Sequence, residues 1–295
     1  MDNNPLYPSI NKINNHCIHQ GIIPRFILQM LELERIAFMP VGSIKKSYKY
    51  VKVASSDFTS FYDLNQEIKI KRKEFIEKIF SREIIEIQKN GTLSIDRTIE
   101  THLLEKVKDF FIKGRILVNN WAKSDVVSDE FVDLKNLLIV KDTNFITNTN
   151  HYLSLDKHRR YECIFEIIED GRAQFLSRFN NIRARIEHDD LILNYSRIEL
   201  INDEIRIFEP LLDNSAMYEL VELFYENILN FIEKVMAYFY GINAYINWNK
   251  SMNLFKREEL DFDKNLFEYV ILPNEDRDKM KKLIYPKHNY DGKYT

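Results

Sequence analysis

Glycine and proline are scarce along this chain, and that scarcity limits its fold more than any other feature. Only 7 Gly and 7 Pro occur among 295 residues. Both residues interrupt helices and mark turns, so a chain that contains few of them favours long uninterrupted helices over a many-stranded sheet. Hydrophobic residues make up 45% of the chain, with 20 Phe and 16 Tyr, which is enough to fill a sizeable core. The sequence therefore predicts an ordered, all-α protein.

Hydrophobic periodicity predicts about four long helices. The first ends at Gly91, a natural helix stop, and Asp96 has the character of a cap for the second. The last is the clearest amphipathic segment of the chain, with Gly241 just beyond it. The four predicted helices cover residues 63–90, 96–121, 154–193 and 214–240. Long helices with few Gly and Pro residues between them are typical of a helical bundle.

One segment departs from helical spacing. Residues 197–210, RIELINDEIRIFEP, alternate apolar and polar side chains on both sides of Asn202-Asp203. Period-two alternation around a turn is typical of a small two-stranded hairpin, and Pro210 would end it. The sequence therefore predicts a bundle with a small β-hairpin inserted before its last helix.

The segments outside these elements divide the chain. Residues 1–22 are polar and expected to be irregular, and Pro24 opens an apolar stretch with a residue suited to a first helical turn. Residues 39–60 are interpreted as a loop with a short strand at Tyr48–Val53. The predicted organisation is an N-terminal extension at 1–60, a helical domain at 61–245 and a C-terminal tail of uncertain order at 246–295.

Charge and cysteine content limit the compartment and the partners. The net charge is −3, so any contact with nucleic acid must be local. Cys17 and Cys163 supply no disulfide framework and favour a reducing compartment. The first residues lack the basic and apolar regions of a signal peptide, and no apolar run reaches the length of a membrane span. We expect a soluble cytoplasmic protein with no membrane partner.

The residues best suited to chemistry lie late in the third predicted helix, in FLSRFNNIRARIEHDDLILN at 175–194. Arginine supplies a fixed cationic fork for phosphate, and histidine exchanges protons near neutral pH. Four residues separate Arg183 from His188, which places them about 140° apart on a straight helix. They converge only if the helix bends or ends here. On spacing alone, a solvated helix in which Arg185 pairs with a neighbouring carboxylate is the simpler interpretation.

A family resemblance favours a functional role for these residues over the simpler interpretation. Arg183-Ala-Arg-Ile-Glu-His188, on the third long helix of a predicted bundle, resembles the Arg-x4–6-His motif of the HEPN superfamily. The segment ENILNFIEKVMAYF at 226–239 resembles the closing helix of one HEPN branch, which has a hairpin between the motif and that helix. HEPN domains are helical bundles, often dimeric, and many are metal-independent ribonucleases of toxin–antitoxin and anti-phage systems. The resemblance covers residues 60–245.

The resemblance implies that Arg183 and His188 are catalytic. A ribose 2′-hydroxyl would attack the adjacent phosphate while His188 takes or gives a proton and Arg183 stabilises the added charge. One histidine does only one of these jobs at a time, so we expect a homodimer in which a second copy supplies the other. No cofactor and no metal are predicted. The expected partners are RNA, a second copy of the chain and a neutralising antitoxin or defence-complex partner.

Five further residues are candidate RNA contacts. Arg178, Asn181 and Arg185 surround the motif, and Asn181 could orient the substrate or the His188 ring. Lys71 and Arg72 belong to KIKRK, the most basic run of the chain, and would contact the phosphate backbone. The simpler interpretation of that run is a solvated helix face, because acidic residues lie close by.

Two alternatives remain open. HEPN proteins commonly have Asn or another small polar residue after the motif arginine, where this chain has Ala184. That departure favours a non-catalytic HEPN-like module for dimerisation or scaffolding.

His16, Cys17 and His19 have a metal-like spacing, but they are too few for a tetrahedral site. The sequence contains no glycine-rich phosphate loop, nucleophile elbow or HExxH motif, which argues against nucleotide hydrolases, elbow-type hydrolases and zincins.

Overall fold

The structure, a computed structural model, is mostly helical, with small antiparallel hairpins between the helices. It describes residues 7–12, 41–88, 92–122, 162–188, 190–202, 204–247 and 269–274. The chain forms two compact units. Unit 1 comprises Met1–Ser56, Val118–Leu176 and Glu226–Tyr285, and unit 2 comprises Asp57–Leu117, Ser177–Tyr225 and Pro286–Thr295.

Four long helical runs account for most of the described residues, as predicted. The first is α1 (Val41–Phe80) and the second is α2 (Thr98–Ala122). The third consists of α3 (Glu162–Gly171), a π-helical turn at Arg172–Leu176, and α4 (Ser177–Glu187). The fourth is α5 (Met217–Asn247). In the described part of the chain, no helix is long and apolar enough to cross a membrane.

The strands form four separate antiparallel pairs. β1 (Tyr7–Lys12) pairs with β8 (Tyr269–Asn274), and β2 (Ile85–Ile87) pairs with β3 (Leu93–Ile95). The predicted hairpin is confirmed as β4 (Arg197–Ile201) and β5 (Glu204–Phe208), with Asn202 at a φ of 53° in its turn. A second, two-residue pair follows at β6 (Leu211–Leu212) and β7 (Ser215–Ala216).

Aromatic side chains fill the core of unit 2. The ring of Phe61 stacks on that of Phe110 at 4.7 Å, and Phe111 stacks on Phe179 at 5.2 Å. Phe224 meets both Phe111 and Phe179 edge-on. All five rings are at most 2% exposed. Edge-to-face and offset contacts of this kind add to the free energy of burial, so these rings fix how α1, α2, α4 and α5 pack in this unit.

A smaller apolar cluster lies where the hairpins meet the end of α1. Its buried members are Phe75, Ile79 and Ile198. Partly buried residues of the β2–β3 and β4–β5 hairpins, of the turn before β2 and of the first turn of α2 pack against them: Ile84, Ile85, Leu93, Ile95, Ile99, Ile205 and Ile207. Each hairpin thus buries one face on the helix, which a two-stranded ribbon needs for stability.

Unit 1 has its own aromatic contacts. Phe231 lies edge-on against both Trp121 and Phe175, with ring centroids 5.9 Å away in each case. A Cβ atom on Gly171 would lie 2.8 Å from the Phe231 ring. Glycine at this point therefore lets α3 approach Phe231 closely, directly before the π-helical turn.

The prediction for the segment before Asp63 was wrong. Residues 41–60 form the first half of α1, where the sequence analysis expected a loop with a short strand at Tyr48–Val53. Gly42, five serines and several β-branched residues give this segment weak helix propensity. At the carboxyl end of this segment, packing supports the helix: Phe58 and Phe61 are buried on the helix face that continues into Leu64 and Ile68.

The predicted helix ends also need correction. α1 stops at Phe80 rather than near Gly91, because Ile85 and Ile87 alternate with polar residues and pair with β3. The third helical run stops at Glu187 rather than 193. α5 passes through Gly241 and continues to Asn247. Residues 7–12 form a strand where irregular structure was expected. The predicted helix after Pro24, the connection at 123–153 and the start of the third helix at 154–161 lie outside the described residues.

Candidate functional site

The end of α4 positions the two predicted catalytic residues. Arg183 is half-buried in the last turns of the helix, and His188 is exposed one residue past its end. The backbone amide of His188 still donates to the carbonyl of Ala184, at 3.1 Å. The amides of Asp190 and Leu191 then both donate to the Arg185 carbonyl, which closes the helix. Helix termination therefore places the His188 ring in solvent at the carboxyl end of α4.

Within one chain, the structure does not bring the Arg183 side chain onto the His188 ring. Ser177–Glu187 is regular α-helix, and the π-helical turn lies before it rather than between the two residues. The angular offset of about 140° expected from 3.6 residues per turn therefore persists. In the described structure, the side-chain ion pair of Arg183 is with Glu187, one turn further along.

A second arginine accompanies Arg183. Arg115 of α2 is only 9% exposed, and its Nη1 donates to Oδ1 of Asn180 at 2.9 Å. Burial, followed by the positive charge of Arg183, lowers the pKa of Arg115 to about 10, while Glu187 acts in the opposite direction. Two arginines thus interact with one carboxylate at this site. We call Arg115, Asn180, Arg183 and Glu187 the Arg183 cluster.

The Arg183 cluster has unused hydrogen-bonding capacity. The Nε atom of Arg183 is buried and, among the described residues, has no hydrogen-bond acceptor. A buried donor without an acceptor costs free energy, and two neighbouring cations repel. An anion with several oxygen atoms would relieve both effects, since guanidinium groups match phosphate and carboxylate geometry.

Sequence reasoning missed Arg115, although the chain contains a pattern that indicates it. Arg115 follows Phe111 by four residues and precedes Val118 by three, so it lies on the apolar face of α2. A charged residue on an apolar face requires a partner or a function. The neighbouring Gly114 allows close packing with α4, because a Cβ atom there would lie 2.8 Å from the Phe179 ring. This close approach positions Arg115 opposite Asn180.

The other arginines near the motif are held by the turn between β6 and β7. Arg178 donates to the carbonyl of Asp213 at 2.7 Å and to Oγ of Ser215 at 2.9 Å, and its Nε lies 3.3 Å from the Asp213 carboxylate. Arg185 contacts the same carboxylate at 3.4 Å. Arg178 therefore attaches the small hairpin to α4, whereas the longer, part-exposed contact of Arg185 is weak and easily exchanged. Asn181 is exposed on the same helix.

The basic run of α1 lies on a different part of unit 2 from the motif helix. Lys71 and Arg72 are both half-buried. Arg72 pairs with Glu209 at 3.2 Å, and its guanidinium carbon lies 5.1 Å from the centre of the Tyr218 ring. The positive charge of Arg72 is thus already balanced within the fold.

No metal centre is found in the described residues, where no three His, Cys, Asp or Glu side chains come together. His16, Cys17 and His19 lie outside those residues. Comparisons of the chain with protein-family models, with curated proteins and with solved structures give no match. The function is therefore argued from the residues of the chain and their arrangement.

Proposed function

We propose that this protein is a metal-independent endoribonuclease of the HEPN type. The observation that carries the proposal is the Arg183 cluster, in which a half-buried motif arginine interacts with a second, buried arginine, five residues before an exposed histidine in the chain. Phosphate recognition and proton transfer would then come from neighbouring turns of one helix end. The helical architecture and the hairpin before α5 agree with the resemblance to that family.

The chemistry follows from the residue types. Arg183 would bind a non-bridging phosphate oxygen and stabilise the charge that builds up as the ribose 2′-hydroxyl attacks phosphorus. Arg115, on the neighbouring helix α2, would raise the local positive potential while holding Asn180 in place. His188 would remove the 2′-hydroxyl proton or protonate the leaving 5′-oxygen. The products would be a 2′,3′-cyclic phosphate and a 5′-hydroxyl.

A second copy of the chain would complete this reaction. One His188 supplies only one of the two proton transfers, and the ring is open to solvent, where a partner can reach it. Ile192, four residues further on, is 80% exposed, and Tyr195 is 47% exposed. Apolar side chains so close to the motif suit an interface around a two-fold axis near His188. In this proposal the protein acts as a toxin or defence effector held in check by a partner.

Cleavage of single-stranded RNA in the presence of EDTA tests the proposal. His188→Ala and Arg183→Ala should each lower the cleavage rate by about 10²–10⁴-fold, the usual loss for a positioned acid–base or charge-stabilising group. His102→Ala is the matched control, because His102 is an exposed histidine of α2 that contacts only the side chain of its neighbour Glu105 in the described structure. Arg197→Ala provides the same control for arginine, and circular dichroism verifies the helical content of each variant.

Two further variants refine the assignment of roles. Arg115→Met should reduce cleavage by removing the second cation, and Arg185→Ala should weaken RNA affinity in a manner that shrinks as salt rises. Wild-type protein that leaves RNA intact, or a His188→Ala variant that cleaves like wild type, would exclude the ribonuclease function.

The second candidate is a non-catalytic HEPN-like dimerisation or scaffold module. Ala184 beside the motif arginine favours it, and so does the ion pair that ties Arg183 to Glu187. In that case, the chain would dimerise without cleaving RNA, and His188→Ala would alter neither property.

A further inference from the structure

A groove in unit 2 lies between α1 and the beginning of α5, and it shares no residue with the Arg183 cluster. It runs along residues 65–77 of α1 and 218–222 of α5 and encloses about 360 Å³. We call it the Tyr218 groove. Its volume lies in the range of small-molecule sites in proteins, which begins at about 300 Å³. Its apolar wall consists of Ile68, Ile76 and Val221.

Two buried polar side chains that line this groove lack hydrogen-bond partners at their donor atoms. Asn65 is 1% exposed and Tyr218 is 6% exposed. Neither Nδ2 of Asn65 nor the hydroxyl of Tyr218 has a partner within the described structure. Burial strongly raises the pKa of the Tyr218 hydroxyl, and the carboxylates of Glu100 and Glu209 raise it further, so the hydroxyl keeps its proton. Two residues that each carry a buried donor without a partner thus line a space large enough for a ligand.

The charged residues that line the groove are held in ion pairs, including Arg72, whose partner Glu209 lies outside the lining. Three cations line it, Lys69, Arg72 and Lys73, against two carboxylates, Glu77 and Glu222. The Lys69–Glu222 pair (2.5 Å) and the Lys73–Glu77 pair (3.7 Å) are both well exposed to solvent. Exposed pairs of this kind contribute little free energy, so a lysine can turn toward a bound anion at low cost.

We propose that the Tyr218 groove binds a small organic anion with an apolar body. Its acceptor oxygens, from a carboxylate or a phosphate, would take the hydrogens of the Tyr218 hydroxyl and the Asn65 amide. The apolar body would lie against Ile68, Ile76 and Val221, and Lys69 would turn toward the negative charge. The proposal is independent of ribonuclease activity, because none of these residues belongs to the motif helix.

Titration of the full-length protein with four probes tests the proposal. Phenyl phosphate and phenylacetate represent the two acceptor groups, toluene represents the apolar body alone, and inorganic phosphate represents the anion alone. Ligand-observed NMR and isothermal calorimetry should detect phenyl phosphate or phenylacetate at concentrations up to about 10 mM, tenfold above a fragment-like Kd of about 1 mM. Which of the two binds more tightly identifies the acceptor group.

Three variants locate the binding site. Tyr218→Phe and Asn65→Leu keep the apolar volume and should each weaken binding by about tenfold, the usual value of a hydrogen bond to a charged acceptor. Tyr225→Phe is the matched control, since Tyr225 is a buried tyrosine of the same helix that lies against Phe61 rather than in the groove. It should leave binding unchanged, and thermal unfolding verifies that all three variants are folded.

Four results would overturn the proposal. The first is that neither organic anion binds wild-type protein, and the second is that both bind Tyr218→Phe and Asn65→Leu as tightly as wild type. Toluene that binds as tightly as the anions would mean an apolar cavity without a preference for charge. Inorganic phosphate that binds as tightly as phenyl phosphate would mean a surface anion site with no role for the apolar wall.

Discussion

Asp96 holds the beginning of α2 as a helix cap, which makes that helix sensitive to acid. Its carboxylate accepts from the amide of Thr98 at 2.9 Å and from the Thr98 hydroxyl at 2.6 Å. Both hydrogen bonds lower the pKa of Asp96 below its ordinary value of 3.8, and the bond from the Thr98 hydroxyl has the larger effect. A carboxylate whose folded pKa is lowered stabilises the fold above its unfolded pKa, and this stabilisation is lost as pH falls through the folded pKa.

Asp96→Asn should therefore unfold at a lower temperature than wild type near neutral pH, and the difference should shrink below about pH 4. Asp96→Ala should be less stable than Asp96→Asn at both pH values, because alanine also removes the acceptor oxygen. Thermal unfolding followed by circular dichroism measures this, with Asp109→Asn as an exposed control on the same helix. A difference that grows on acidification would contradict the capping role.

Gly114 gives a second prediction at the scale of single residues. Gly114→Ala should lower the free energy of unfolding, because the new Cβ atom would lie 2.8 Å from Phe179 and 3.0 Å from Phe61. Overpacking typically costs about 1–3 kcal/mol, which outweighs the gain of up to about 1 kcal/mol in helix propensity. Urea denaturation measures the change, and Lys113→Ala is the control at the exposed neighbour. A variant more stable than wild type would mean that α2 and α4 can separate here without a loss in the free energy of unfolding.

The residues of the candidate site were only partly predictable from the sequence. The residue types of Arg183 and His188, and their position near the end of a helix, follow from local patterns. The Arg115–Asn180 bond does not, because its partners lie 65 residues apart on different helices. A local pattern shows that Arg115 lies on an apolar face. It does not show which residue forms a hydrogen bond with Arg115, since that depends on how the helices pack.

At the scale of secondary structure, the elements predicted correctly are those in which local preference and packing agree. α2 has a capping residue and a continuous apolar stripe, and β4 and β5 alternate cleanly around a turn. The β2–β3 pair was missed because Gly91 is typical of a helix stop, although the dipeptide Asn90-Gly91 is also typical of hairpin turns. The first half of α1 was missed because its helix propensity is weak.

Glu209 connects three of these elements and gives a prediction at this scale. It follows β5, pairs with Arg72 of α1 at 3.2 Å and accepts from the amide of Tyr218 at the beginning of α5, at 3.1 Å. Glu209→Ala removes both contacts and should cost about 0.5–2 kcal/mol through the lost helix-terminal acceptor, with a further loss from the uncompensated arginine.

Glu209→Gln separates the two contributions, because the amide oxygen can still accept from Tyr218 while the negative charge is gone. Its stability should lie between wild type and Glu209→Ala in chemical denaturation. Glu86→Ala, at an exposed position of β2, should change stability little. If Glu209→Gln is as unstable as Glu209→Ala, the charge alone accounts for the effect and the helix-terminal hydrogen bond contributes nothing measurable.

At the scale of the whole molecule, the reaction proposed here needs more than one chain. The proton-transfer group proposed for this reaction is His188, and a phosphate transesterification requires both a proton acceptor and a proton donor. In this proposal the Arg183 cluster would hold a phosphate without any partner, whereas the second proton transfer cannot come from the same ring in the same step. Binding of RNA and its cleavage should therefore depend differently on protein concentration.

Ile192→Asp should separate these two properties. The substitution places a charge in the exposed apolar position closest to His188, and burial of an unpaired charge in an interface typically costs more than about 2 kcal/mol. Light scattering should find a dimer for wild type and a monomer for Ile192→Asp, with cleavage per chain lost and RNA affinity mostly retained. Ile70→Asp, at an equally apolar position of α1 that is 67% exposed, should remain dimeric and active.

On dilution, wild-type activity per chain should fall as the dimer dissociates. A wild-type monomer that cleaves RNA, or an Ile192→Asp monomer as active as the dimer, would show that one chain performs both proton transfers with a group other than the second His188.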